Sequence, residues 1–153
     1  MKIHYICRGN VVRSLSAEAY TRSLDLPGVE VSSSGTVADQ DRYEQFTIDH
    51  RARTVELLQR HGLKQTIKMT IDQTSQAVVD AQDIVVCVNQ RAYDEAVKIV
   101  DLPDDTIVWG VDDIGEGERR AKDGDRTESE EAIFSEVTTQ VDRLIGGLGL
   151  SSR

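Results

Sequence analysis

The sequence predicts a single α/β domain, residues 1–153, built on a parallel β-sheet with helices packed on it. Two observations carry the prediction. Strand-like and helix-like segments alternate along the chain, the pattern of parallel strands joined by helical crossovers. One segment, D-I-V-V-C-V (83–88), is apolar without interruption after its leading Asp83, as a strand covered on both faces must be. The size agrees: 153 residues make one domain, and 39% hydrophobic residues fill one core but not two.

Each element has its own signal. K-I-H-Y-I-C (2–7) reads as the first strand. A helix follows from Ser14, with Ala17, Tyr20 and Leu24 on one face, and Pro27-Gly28 closes it. V-E-V-S-S-S (29–34) alternates as a second strand that Gly35 breaks. Residues 36–48 are polar and irregular and read as a long loop. Asp49 is a candidate N-cap for a helix carrying Ala52, Val55 and Leu58 and ending at Gly62. The stretch 63–80 is ambiguous, with a helix expected near its end. After the strand at 83–88, Asn89 caps a helix to about Val100, and T-I-V-W (106–109) is a short fourth strand. A loop rich in Asp, Gly and Glu runs to about residue 126. Thr127-Glu-Ser-Glu130 fits a capping box, and the last helix places Ile133, Val137, Val141, Leu144 and Leu148 on one stripe.

Charge and composition exclude several classes. The net charge of -9 argues against a nucleic-acid or membrane-surface partner, since both require clustered Lys and Arg. Nothing reads as a targeting segment or as the roughly 20 apolar residues of a membrane span, so the expected location is the cytoplasm. In that reducing compartment Cys7 and Cys87 are not expected to form a structural disulfide. His4, His50 and His61 are scattered without metal-ligand spacing, so no metal is expected.

The informative segment is C-R-G-N-V-V-R-S, Cys7 to Ser14, between a buried strand and the start of a helix. At such a junction free backbone N–H groups and the helix dipole both favour an anion. Gly9 lets the backbone approach a ligand closely. Cys7 in that setting is a candidate nucleophile, with N–H dipoles and an arginine favouring its reactive anionic form. Ser14 is placed to donate a hydrogen bond to the sulfur. Arg13 lies at the first turn of the helix, where a loop curled around a phosphate would bring it over the anion. A planar guanidinium holds two phosphate oxygens at once, which Lys cannot. The backbone of Arg8, Gly9, Asn10, Val11, Val12, Arg13 and Ser14 is the expected cradle for phosphate or sulfate.

This loop resembles the low-molecular-weight protein tyrosine phosphatase family, whose C-x-G-N-x-C-R-S-P stands here as C-R-G-N-V-V-R-S-L. The resemblance implies a four-stranded parallel sheet of order 2-1-3-4 with helices on both faces, and Cys7 at the crevice where strand order reverses. It extends to S-S-G-T (33–36), where Ser33 would bond Asn10, to the stretch from Asp49 to Ala52 with Gly62, and to D-I-V-V-C-V-N. W-G-V-D-D-I-G (109–115) resembles the segment bearing the family's general acid, which makes Asp113 the acid and Ile114 the substitute for a proline. The residues alone leave Asp112 and Asp105 as alternatives. The implied activity is hydrolysis of a phosphorylated protein or a small phosphomonoester, phosphotyrosine in the first place, through a phosphocysteine.

The chain also departs from the family pattern. Val12 replaces a second cysteine, Leu15 a proline, and no match to an H-x-A-R stretch occurs between 64 and 76. The aromatic that follows the acid is absent, with Gly115 near its place; Tyr43 and Phe46 are candidates for the missing wall. Aliphatic Val11 points to phosphotyrosine, since phosphoarginine-preferring members carry Thr there. Two rival readings are an arsenate reductase using an external thiol, with Cys87 read as core, and a phosphate-binding regulatory module impaired in catalysis.

Overall fold

The computed structural model describes residues 1–114, 116 and 126–151. Four parallel strands form one sheet: β1 (Lys2–Cys7), β2 (Glu30–Gly35), β3 (Ile84–Cys87) and β4 (Ile107–Val108), in the order β2-β1-β3-β4. Ile3 to Cys7 are all buried without alternation, so both faces of β1 are covered, as the continuous apolar pattern of a central parallel strand demands. Among the described residues six α-helices surround the sheet: α1 (Arg13–Ser23), α2 (Ala38–Asp41), α3 (Gln45–Arg60), α4 (Gln76–Asp80), α5 (Gln90–Ala96) and α6 (Arg126–Gly147). Among the described residues no helix is long and apolar enough to cross a membrane.

The main core joins Ile3, Tyr5 and Val86 of the sheet to Val137, Val141 and Ile145 of α6. Each such side chain contributes about 1.5–3 kcal/mol by leaving water. The α6 stripe runs Ile133, Val137, Val141, Ile145, with Leu144 and Leu148 half-buried at its margin. Leu15 and Ala19 of α1, Leu57 and Leu58 of α3, and Phe134 of α6 form a second cluster. It holds α1 from the side away from the sheet, and α1 carries the loop of interest.

Several boundaries differ from the sequence reading. The segment 36–48 is not all loop. It contains α2, and α3 begins at Gln45, so Asp49 is an exposed residue inside the helix that accepts from Gln45 Nε2 at 2.9 Å. The buried face of α3 is Thr47, Thr54, Leu57 and Leu58, while Ala52 is exposed and Val55 half-buried. Among the described residues α6 already begins at Arg126, so Thr127 lies within it rather than before it. Glu130 is instead held by Arg53 Nε at 2.6 Å and Arg126 Nε at 3.1 Å, which ties α6 to α3. In contrast Asn89 is a true N-cap: its side chain accepts from Ala92 N at 2.9 Å.

His4 is buried between β1 and β2, with Nδ1 2.6 Å from Ser32 Oγ and Nε2 2.8 Å from Ser34 Oγ. Burial, reinforced by the charge of Lys68, lowers its pKa from 6.5 to about 4. The unfolded chain therefore takes up this proton first. The contribution is complete above about pH 6.5 and is lost as pH falls towards 4, to the extent of about 3 kcal/mol. Between pH 7 and 4 the denaturant stability of His4→Gln is expected to fall less steeply than wild type. Parallel curves would refute this.

Candidate active site

β1 delivers Cys7 to the carboxyl edge of the sheet, where β2 and β3 diverge on either side of it. Residues 8–12 turn back over that edge, and α1 starts at Arg13 with the Val12 carbonyl accepting from Ser16 N at 2.9 Å. The turn needs a left-handed residue, and Asn10 takes it with φ 60°. Every polar atom of its side chain is used. Nδ2 donates to Ser14 Oγ at 2.8 Å and Ser33 Oγ at 2.9 Å, and Oδ1 accepts from Asp72 N at 3.0 Å. Gly35 closes the floor: a Cβ there would lie 2.5 Å from Arg8 O and 2.7 Å from Asn10 N, both backbone atoms that cannot yield.

The sulfur sits in a polar cup. Asn10 N donates to Cys7 Sγ at 3.2 Å, and Ser14 Oγ lies 2.9 Å away. Because Asn10 Nδ2 already donates to Ser14 Oγ, the serine proton has two acceptors to choose from, the sulfur at 2.9 Å and the more distant Ser34 carbonyl at 3.5 Å. Cys87 is different. It pairs in register with Ile6, so strand alternation turns its side chain to the face opposite Cys7. Burial pushes its thiol up to about 12, making it an inert core group. Both cysteines are free.

Arg13 is 2% exposed. Its Nη1 donates to Val111 O at 3.1 Å and pairs with Glu116 Oε1 at 3.1 Å, and Nη2 is 3.9 Å from Asp113 Oδ2. Its buried Nε has no partner among the described residues. A cleft of about 240 Å³ opens over the loop, lined by Arg8, Gly9, Val11 and Arg13 together with Asp113 and Ile114 across from them. Phe46 of α3 also lines it, whereas Tyr43, 84% exposed, lies on a separate groove with Arg51 and Met69, so only Phe46 stands at the cleft. Asp113, not Asp112 or Asp105, is the acid-loop aspartate on the cleft; Asp112 Oδ1 accepts from Asn89 Nδ2 at 3.2 Å. Gly115 lies outside the described residues.

Sequence reasoning missed several residues at or beside the cleft, Arg91, Glu95, Glu116 and His50 among them. Arg8 Nε binds both oxygens of Glu95 at 2.9 Å; Arg91 Nε reaches Glu95 at 3.2 Å and Arg91 Nη1 reaches Glu116 at 3.1 Å. Arg91 and Glu95 read in sequence as an ordinary solvated i,i+4 pair, and Glu116 is hidden in a loop crowded with acids. His50 also lines the cleft, and burial lowers its pKa.

A family model described as low molecular weight phosphotyrosine protein phosphatase matches residues 2–149. No curated protein sequence matches. Among solved structures, a Drosophila arginine phosphatase superposes with TM-score 0.70 at 20% identity, over 97% of this chain and 98% of that one. The tyrosine phosphatase Wzb of Escherichia coli, solved with sulphate, gives 0.63 at 18%, over 96% and 97%. A thioredoxin-dependent arsenate reductase of Corynebacterium glutamicum gives 0.63 at 16%, over 97% of this chain and 61% of that one. At these identities the likeness is one of fold.

Proposed function

The chain belongs to the low molecular weight phosphotyrosine protein phosphatase family, and from that premise we propose that it hydrolyses phosphomonoesters, protein phosphotyrosine in the first place, through a phosphocysteine on Cys7. The observation that carries this reading is the Cys7 cup: a sulfur that receives Asn10 N–H and faces the Ser14 hydroxyl, beneath an arginine whose buried Nε–H has no partner among the described residues. A phosphoryl group seated on the loop N–H groups would present phosphorus to the sulfur and two oxygens to the Nε–Nη2 edge of Arg13. Cys7 then attacks in line, the P–O bond breaks, and Asp113 protonates the departing oxygen. Water next attacks the phosphocysteine with Asp113 as base, releasing inorganic phosphate and restoring the thiolate. None of these steps calls for a metal or cofactor. Val11, Phe46 and Ile114 offer an apolar flank to a phenyl ring. The free thiols suit a reducing compartment such as the cytoplasm.

The test is a rate comparison across phosphotyrosine, phosphoarginine, phosphoserine and arsenate. Phosphotyrosine fastest supports the reading. Phosphoarginine fastest keeps the mechanism and replaces the substrate, and thiol-dependent arsenite production replaces both. Loss of all four activities would leave an anion-binding module.

Asp113→Asn is expected to slow phosphotyrosine hydrolysis by about 10²-fold, within the usual contribution of a positioned acid. A tyrosine phenolate, pKa about 10, departs slowly unprotonated, whereas a nitrophenolate leaves unaided. The phosphorylation burst with nitrophenyl phosphate should therefore be affected much less. Wild-type kinetics in Asp113→Asn together with this pattern in Asp112→Asn would move the acid by one residue.

Excess peroxide is expected to inactivate the enzyme with little recovery in dithiothreitol. Val12 leaves no neighbouring loop thiol to trap a sulfenic acid, and Cys87 faces away, so oxidation can proceed up the ladder. Full recovery after prolonged exposure would contradict this.

A further inference from the structure

We propose that Glu116 is a positioning residue that holds the Arg13 guanidinium and the Asp113 backbone in register through one carboxylate; the proposal rests on the phosphatase reading above. A guanidinium has two useful edges. Here Nη1 is taken by Glu116 Oε1 and Val111 O, both at 3.1 Å. What remains is the side-on edge, Nε and Nη2, whose two parallel N–H bonds match two oxygens of a phosphoryl group. The carboxylate thus fixes one end of Arg13 so that the other end faces the cleft.

The same oxygen of Glu116 accepts from Asp113 N at 2.9 Å and lies 3.5 Å from Asn89 Nδ2, while Oε2 takes Arg91 Nη1 at 3.1 Å. The clamp and the acid-bearing loop are therefore hung on one atom. Asn89 is itself fixed as the N-cap of α5, which anchors the group to the scaffold. An alternating chain, Arg13–Glu116–Arg91–Glu95–Arg8, runs along the cleft. Glu116 is 9% exposed. Burial opposes its charge, but Arg13, the Asp113 N–H and Arg91 together keep its pKa below the ordinary value. An arginine as buried as Arg13 needs such a fixed acceptor, since a mobile guanidinium would have to be ordered anew at each turnover.

The test separates position from charge. Glu116→Gln and Glu116→Met both remove the charge at similar volume, but only Gln keeps an acceptor for Arg13 Nη1 and Asp113 N. The Gln variant is expected to exceed the Met variant by about 10-fold or more in kcat on phosphotyrosine, with a smaller difference in KM. By calorimetry it should also bind inorganic phosphate about 10-fold more tightly than the Met variant. If Glu116→Met does not fold, Glu116→Ala takes its place. Equal kcat values or equal phosphate affinities in the two variants overturn the proposal. Should the wild type turn over no phosphomonoester, the functional reading fails by itself, and the two phosphate dissociation constants still decide the role of Glu116.

Discussion

Cys7→Ser is expected to lower turnover of nitrophenyl phosphate on the order of 10⁴-fold or more while the protein still binds inorganic phosphate. The two halves of this result have separate causes. A neutral hydroxyl is a far poorer nucleophile than a thiolate, and removing a nucleophile that acts as one unit with its neighbours removes nearly the whole chemical step. On the proposed reading anion binding rests on other atoms: the loop N–H groups at the start of α1 and the Nε–Nη2 edge of Arg13. Serine is smaller than cysteine and can still accept from Asn10 N, so the cup should persist. Turnover above a hundredth of wild type would refute Cys7 as nucleophile. Loss of phosphate binding with normal thermal stability would mean that the sulfur helps to shape the loop.

Why this site was readable from residues, and its neighbours were not, has a physical basis. β1, the loop and α1 are a local unit: a strand, an unbroken turn and a helix start, with Gly9 and Asn10 inside the turn, Asn10 carrying its left-handed backbone. Local units leave local signals. Gly35, by contrast, matters because Arg8 and Asn10 fold back onto it, a contact that no spacing encodes. The segment near Asp72 has no motif because its contribution is a backbone N–H, given to Asn10 Oδ1 at 3.0 Å. A backbone donor can be supplied by almost any residue. The start of α3 was misplaced because Asp49 is a good cap by type, while the true first turn, Gln45-Phe46-Thr47-Ile48, is exposed apart from buried Thr47, which anchors it. Propensity yields to tertiary contact there. Glu130, read from spacing as a local capping partner, has its carboxylate taken by Arg53 from another helix. Glu116 could not be singled out among neighbouring acids until Arg13 was seen against it.

Arg13→Lys is expected to cost on the order of 10³-fold in kcat although the charge is kept. A fixed donor aimed at developing charge contributes about 10²–10³-fold, and the substitution removes two of them, Nε and Nη2. Lysine offers a single ammonium on a flexible stem, which cannot span two phosphoryl oxygens. The surroundings make matters worse. Arg13 is only 2% exposed, and Glu116 and the Val111 carbonyl already compete for a cation there. An ammonium drawn to these two acceptors is held away from the substrate, and one drawn to the substrate leaves a buried carboxylate with one fewer partner. On the proposed mechanism Arg13 acts on phosphoryl oxygens, which carry charge in both steps whatever the leaving group, so the loss should be similar for phosphotyrosine and nitrophenyl phosphate. Asp113→Asn is expected to differ on that point, since it discriminates between leaving groups. A lysine variant within 10-fold of wild type would mean that charge alone suffices and that the bidentate edge is not used. A variant as slow as expected but selective by leaving group would place Arg13 in the service of the acid instead of the phosphate.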